Sequence, residues 1–300
     1  MKKTLFKATN THRANLHCHT TVSDGRKTPE ETKEMYARQG YGIVAFTDHN
    51  KMVAHHELSD ENFLAITALE VDRSGTGGKT YHINLYATRE DMVDTPPLMR
   101  MDYSDKSAIN AYLAERVAEG YLACYNHPSW SMQDFTDYAN LENLWGMEIA
   151  NFNCDTEGLY GISPQIYDEM LRNNGALFCV GTDDNHNAAP KDDSFGAWTV
   201  VNSPDLRYES VIKSLKDGDF YASTGPEIHE ITIEDDIVTI KCSPCSVICL
   251  GSNTRKSYIL YGHGLTQAQF KIAEHKYIRA TVRDEQGDAW SNAYWLEWSN

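Results

Sequence analysis

The feature that most constrains this chain is a repeated pairing of short apolar runs with polar, chemically able residues at their C-terminal ends. Runs at 14–17, 42–47, 63–69, 82–87, 121–125, 147–150 and 176–180 read as strands. Amphipathic stretches separate most of them. Thr28 is a good N-cap, Pro29 suits the first helical position, Glu31 completes a capping box and Gly40 supplies the stop. Residues 107–119 carry Ile109, Tyr112, Leu113, Arg116 and Val117 at helical spacing and end at Gly120. Residues 163–174 open on Ser163-Pro164 and end at Gly175, and 206–216 stop at Gly218. Strands alternating with helices predict an α/β fold with parallel pairing. Seven such strands suggest a closed or nearly closed barrel, with an open sheet as the alternative. Active sites of both architectures lie where the strands end. Here His17 and His19, Asp48 and His49, Glu70, His127, Asp184 and His186 fall at such ends, strand after strand.

The pattern changes near residue 224. After the turn cluster Ser223-Thr224-Gly225-Pro226 come alternating segments at 228–233, 237–242, 246–250, 258–260, 277–283 and 289–296. Residues 284–287 read as a hairpin connection. The expected organisation is an α/β barrel over 1–224 and a small all-β, sandwich-like module over 225–300. The segment Asp94-Thr95-Pro96-Pro97-Leu98-Met99-Arg100 is the one loop conspicuous enough to be a lid.

Charge narrows the partners. With 43 acidic against 27 basic side chains, the net charge is −16. Broad binding to long nucleic acid, or to an anionic membrane surface, needs the opposite surplus. No apolar stretch reaches the ~18 residues a membrane span requires, and Lys7, Asn10, His12 and Arg13 interrupt any signal-like apolar segment after Met1. The seven cysteines, 18, 124, 154, 179, 242, 245 and 249, sit mostly in apolar runs. That usage suits reduced, buried thiols and a cytoplasmic location.

The sharpest local signal is His17-Cys18-His19, because alternate residues of an extended chain face one side and both rings can reach one ion. Asp24 follows five residues later, then Thr47-Asp48-His49, Glu70, His82, Asn126-His127-Pro128 and Asp184-Asn185-His186. Imidazoles and carboxylates of this kind suit Zn, Mn or Fe. The nine candidates, His17, His19, Asp24, His49, Glu70, His82, His127, Asp184 and His186, exceed the needs of one ion and match three, with Glu70 able to bridge two.

Asn15-Leu16-His17-Cys18-His19-Thr20, Ser23-Asp24-Gly25 and Thr47-Asp48-His49-Asn50 resemble the PHP (polymerase and histidinol phosphatase) superfamily of metal-dependent phosphoesterases. Ala68-Leu69-Glu70-Val71, His82, Asn126-His127-Pro128 and Gly181-Thr182-Asp183-Asp184-Asn185-His186 resemble its remaining motifs, in order. Residues 219–226 and 288–292 resemble the β-module appended in one branch of that superfamily. The resemblance implies a distorted (β/α)7 barrel with a trinuclear site. By position, one ion takes His17, His19, Glu70 and Asp184, a second takes Glu70, His82 and His127, and the third takes Asp24, His49 and His186. The family's last motif commonly reads Gly-Ser-Asp-x-His, whereas here Asp183 and Asp184 both follow Thr182. Asp184 keeps the spacing, and Asp183 is the alternative.

Clustered divalent ions bind phosphate oxygens, generate hydroxide near neutral pH and stabilise a leaving oxygen. The expected activity is hydrolysis of a small phosphorylated metabolite or nucleotide by a metal-bridging hydroxide, with catalysis assigned to Glu70, Asp184 and His186. Arg26 and Lys51, each close in sequence to a ligand, are the candidate phosphate contacts. Glu148 and Asn151 point to the same rim, either to meet substrate or to hold a loop. Asp48 either orients a neighbour of the ions or caps a turn. Cys18 reads as a packed thiol, and Cys242, Cys245 and Cys249 as strand residues without the fourth ligand a zinc site needs. Trp290, Tyr294, Trp295 and Trp298 read as core and docking residues of the β-module. The same metal site also suits hydrolysis of a carboxylic ester, carbamate or amide, and a catalytically retired metal-binding protein is the non-enzyme alternative.

Overall fold

The computed structural model describes residues 2–256 and 258–297. The chain opens with β1 (Lys2–Lys7), β2 (Thr11–Asn15), α1 (Pro29–Arg38), β3 (Tyr41–Phe46), β4 (Leu64–Ser74) and β5 (Thr80–Ala87). It continues through α2 (Lys106–Glu119), β6 (Tyr121–Tyr125), α3 (Phe135–Tyr138), β7 (Gly146–Asn151), α4 (Phe152–Thr156) and α5 (Pro164–Asn173). β8 (Phe178–Thr182), β9 (Trp198–Asn202), α6 (Tyr208–Asp217) and β10 (Phe220–Ser223) complete the first unit. Local chemistry explains the boundaries. At α1 the Thr28 hydroxyl accepts from Glu31 N at 3.2 Å while Glu31 accepts from Thr28 N at 2.9 Å, so the capping box forms as expected. All six residues of β3 are buried, as suits an apolar strand paired on both edges and covered on both faces.

Strands β2 to β8 lie side by side in chain order. β2–β3, β3–β4, β6–β7 and β7–β8 are parallel. β4–β5 and β5–β6 are antiparallel, so the expectation of a uniformly parallel barrel is corrected. The reason is the Gly75–Lys79 link. Gly75 N bonds Lys79 O at 2.8 Å, and Gly77 and Gly78 sit at φ +69° and +80°. A connection this short closes a hairpin and leaves no room for the helical crossover that parallel strands require. Nor does β8 form a ladder with β2 among the described residues. The ring is drawn together at its C-terminal rim instead, where Cys18 bridges Asn185, His19 N bonds Asn185 O at 3.0 Å and Asp184 N bonds His17 O at 2.9 Å.

The second unit holds β11 (Ile228–Glu234), β12 (Ile237–Ser252), β13 (Tyr258–Lys271), β14 (Tyr277–Arg283), β15 (Asp288–Ser291) and β16 (Tyr294–Trp295). It is rich in sheet, as expected. Its strands run without a break into the first unit through β14, β15, β10, β9 and β2. The runs at 237–242 and 246–250 are one strand, β12, whose register shifts around Cys245. β1 does not lie beside β2. It pairs antiparallel with β11, and Phe6 enters the core of the second unit with Ile231, Val238 and Ile248. Among the described residues, no helix is long and apolar enough to cross a membrane.

The expected lid is a strut. Pro97 O accepts from Tyr112 Oη at 2.9 Å and from Arg116 Nη1 at 3.0 Å, and Met99 is buried, so the segment is fastened to α2. Trp290 is buried in the same core as Tyr167, Leu177 and Met147 and docks the second unit on the first. Tyr294 and Trp295 lie at the edge of this contact, and Trp298 falls outside the described residues. Arg279 grips Asp168 on α5 with two bonds of 2.7 Å. Asn292 is the closest tie: its Oδ1 accepts from Cys179 N at 2.9 Å, and its Nδ2 donates to Gly218 O and Phe220 O at 3.0 Å each. Asn292→Ala strands these buried backbone groups without a partner. The expected loss is about 2–4 kcal/mol of stability, read as a lowered denaturant midpoint with an unchanged slope.

Candidate metal centre

The nine sequence candidates converge at the rim. They form four overlapping groups whose donor atoms lie within 4.8 Å of one another: His19, Asp24, His49 and His186; His17, His19 and Glu70; His17, His127 and Asp184; and His49, Glu70 and His82. His17 and His49 lie just past the ends of β2 and β3, Glu70 and His82 are diagonal neighbours on the β4–β5 hairpin, where Glu70 pairs with Asn84 and His82 with Asp72, and His127 and Asp184 follow β6 and β8. At the centre, His17 Nε2 and His19 Nε2 are 3.1 Å apart, and each is 3.1 Å from Asp184 Oδ1. Glu70 Oε1 lies 2.9 Å from His82 Nδ1 and 3.3 Å from His127 Nε2, while its Oε2 faces His49 Nδ1 at 3.0 Å. Asp24 lies 3.5 Å from His186 Nε2 and 3.8 Å from His49 Nε2. The grouping differs from the positional expectation at three places. His19 also joins Asp24, His49 and His186, His127 groups with His17 and Asp184, and His49 also joins Glu70 and His82.

Residues that sequence reasoning left undecided hold this array in place. Glu148, fully inside the protein on β7, accepts from His17 Nδ1 at 2.6 Å and from Thr182 Oγ1 at 2.7 Å. Its second oxygen accepts from His127 N and Asn151 Nδ2, both at 2.9 Å. Glu148 thereby fixes the His17 proton on Nδ1 and leaves Nε2 for the centre. Asn151 also donates to Asp184 Oδ2 at 3.1 Å, and Asn126 Nδ2 donates to Glu70 Oε1 at 2.8 Å. Asp48 caps a turn: it accepts from Thr20 N and Oγ1 and from Ser23 N and Oγ, which shapes the loop that carries Asp24. Asp193, which no motif marks, accepts from His186 N at 2.8 Å and from Asn187 N at 3.0 Å.

The two consecutive aspartates separate cleanly. Asp183 turns away from the donors and accepts from Phe195 N, Gly196 N, Ala197 N and Tyr36 Oη at 2.8–3.2 Å. Asp184 turns toward them, with φ at +55°, a left-handed backbone that a non-glycine residue adopts at a cost. Cys18 is packed among Tyr36, Tyr41 and Phe46 on the opposite side of the strand. Cys242 and Cys245 sulfurs are 3.7 Å apart, and no further His, Asp or Glu donor joins them among the described residues.

Electrostatics favour a cation. Burial resists charging His17, but Asp184, Glu70 and Glu148 overcome it and hold its pKa well above the ordinary value. Burial lowers His19 to about 4, only partly offset by Asp184, which keeps it a neutral donor. Burial would raise Glu70 and Asp184, yet the surrounding imidazoles hold both well below the usual carboxylate range. Burial lifts Asp183 to about 7 even against its backbone donors. His19 Nδ1 and Glu70 Oε2 are buried and make no hydrogen bond. Unpartnered buried polar atoms, facing imidazole nitrogens and concentrated negative charge all fit divalent ions held by these side chains.

The donors floor a cavity of about 340 Å³, whose wall adds Arg26, Trp130, Asn153, Glu157 and Lys191. Arg26 lies where its sequence position suggested. Lys51 is exposed and does not line the cavity, whereas Lys191, unmarked by any motif, does.

Fold and site together define an α/β protein with a sheet-rich C-terminal region and, at the rim of its first unit, clustered imidazoles and carboxylates suited to divalent metal ions. Over 98% of both chains, the structure matches a two-domain protein containing a predicted PHP-like metal-dependent phosphoesterase from Bacteroides vulgatus, at 19% identity and a TM-score of 0.52. That likeness shows a shared fold. Looser likenesses are to a candidate metal-dependent phosphoesterase from Bifidobacterium adolescentis (13% identity, 67% of this chain and 94% of that one, TM-score 0.44) and to an amidohydrolase from Chromobacterium violaceum with bound sulfate and no metal (14%, 58% and 87%, TM-score 0.37). No family model and no curated protein matches the sequence.

Two predictions follow from these contacts. Glu148→Gln removes the charge that orients His17 and weakens metal affinity about 10–100-fold, measurable by competition with a chelator. In the metal-free protein, His186 is lifted to about 9, because Asp24 and Asp184 outweigh burial. A raised folded pKa stabilises most below about 6.5, the unfolded value, and that contribution is lost as pH rises through about 9. Metal-free wild type therefore loses stability between those limits, and His186→Gln flattens this part of the pH–stability curve.

Proposed function

We propose that this protein is a metal-dependent hydrolase of phosphate esters, acting on a small phosphorylated metabolite or nucleotide. The observation that carries the reading is the array of buried imidazoles and carboxylates flooring a small cavity whose wall holds Arg26 and Lys191. The phosphoesterase description of the Bacteroides neighbour supports it.

Three ions fit the number of donors. In this reading His17, His19, Glu70 and Asp184 hold one, Glu70, His82 and His127 a second, and Asp24, His49 and His186 a third. Zn, Mn and Fe all suit such donors. When bound, such ions supply activation of water and neutralisation of charge on a phosphate ester. Glu70 spans the array because its two oxygens face different imidazoles. Asp184 collects His17 and His19 on one oxygen, and Asn151 steadies the other. His186 and Asp24 close the end of the row nearest Arg26. Glu70, Asp184 and His186 thus carry the catalytic assignment, and the Arg26 guanidinium is placed to bind and orient phosphate oxygens. The cavity's size and the net charge of −16 favour a small ester over a nucleic acid chain.

Metal content and turnover test this together. Wild type is expected to bind two or three transition ions, about what the donor number allows, and to hydrolyse p-nitrophenyl phosphate or bis-p-nitrophenyl phosphate. His17→Ala lowers the metal content and abolishes the turnover. Arg26→Ala raises KM for the phosphate ester about tenfold, as loss of one charge-assisted contact implies. A protein that turns over only p-nitrophenyl acetate moves the assignment to carbonyl hydrolysis, and one that binds no metal refutes it.

A further inference from the structure

One wall of the cavity is aromatic in a site otherwise lined by charge. Trp130 stands three residues after His127, in the turn that follows β6. Its ring centre lies 5.0 Å from that of His127 and 5.5 Å from that of His82, at steep angles of 79° and 62°. Its Nε1–H donates to Glu157 Oε2 at 2.9 Å, and Lys191 donates to the other Glu157 oxygen. Three separate segments therefore meet here: the turn after β6, the end of α4 and the loop after β8. All three residues line the cavity that the donor array floors.

This arrangement fixes what Trp130 can offer a ligand. The indole is held by two imidazoles and one hydrogen bond, so little rotamer freedom remains to be lost on binding. Its one N–H is already taken by Glu157. What remains for a ligand is a half-buried, flat π surface in the wall of the cavity that the donors floor. Such a surface rewards another ring, which stacks on it, and gives nothing to hydroxyl groups. Arg26 N donates to His186 O at 2.8 Å, and Arg26 lines the same cavity as Trp130, so a cation for phosphate and a ring for the leaving group share one cavity.

We propose that Trp130, clamped by Glu157 and Lys191, is a leaving-group subsite that selects phosphate esters bearing a flat aromatic or heteroaromatic ring over those of small aliphatic alcohols. This rests on the phosphoesterase reading. The test is calorimetric binding of non-hydrolysable phosphonates to the metal-loaded protein, so turnover is not the readout. Phenylphosphonate is expected to bind wild type about tenfold more tightly than methylphosphonate, and more tightly than cyclohexylphosphonate, which matches its size without its flatness. Trp130→Ala removes the phenyl advantage and leaves methylphosphonate binding unchanged. Trp130→Phe, which keeps a ring but not the N–H, retains most of that advantage. A phenyl preference that survives Trp130→Ala, or an equal loss for all three ligands, overturns the subsite. Equal binding of the three ligands to wild type overturns the subsite alone. Binding of none of them overturns the phosphoesterase reading as well.

Discussion

The rim of this protein depends on Glu148. Its two buried oxygens take hydrogen bonds from His17 Nδ1, Thr182 Oγ1, His127 N and Asn151 Nδ2. Those partners belong to the ends of β2, β8, β6 and β7, so one carboxylate ties four strand ends together. It also decides which nitrogen of His17 faces the centre. A carboxylate buried this deeply is costly unless every lone pair is used, and here the groups that use them are those that must be positioned. Stability and site geometry are thus maintained by the same contacts. Asp183 acts similarly one layer out, anchoring the backbone of 195–197 and the Tyr36 hydroxyl while its neighbour Asp184 turns inward.

Much of this was legible in the sequence because the donors sit at strand ends. His17 and His19 share a side by the two-residue period of extended chain, and the order of the remaining donors follows the order of the strands. The capping box at Thr28 and Glu31, and the helices ending at Gly120 and Gly218, follow local chemistry and were read directly. What escaped notice depends on contacts distant in sequence. Asp193 carries no motif, and only the fold brings it to His186 N. Lys191 reaches the cavity because the loop after β8 folds back, whereas Lys51, two residues from His49, points elsewhere. Proximity in sequence was a poor guide for long cationic side chains on loops. The role of Glu148 was open for a different reason: a carboxylate at a strand end looks the same whether it faces substrate or a histidine.

The strand pattern misled in an instructive way. Alternation of apolar runs predicts parallel neighbours when helices fill the gaps, but the gap between Glu70 and His82 is filled by the strands themselves and a glycine turn. The resulting hairpin sets Glu70 and His82 on adjacent strands, which brings an imidazole against the carboxylate with little intervening structure. The sequence pattern changes near residue 224, where the second unit begins. Hydrogen bonding ignores that change: the ladder continues from β14 through β15, β10 and β9 into β2.

That continuity has a consequence for how the chain is made. β1 precedes the other strands and helices, yet among the described residues its only ladder partner is β11. During synthesis the segment Lys2–Lys7 must wait, exposed, until the whole first unit has left the ribosome. Three lysines among its six residues keep it from sticking to other nascent chains meanwhile. Pairing of β1 is then a capture event, in which a strand long since made is claimed by one newly emerged.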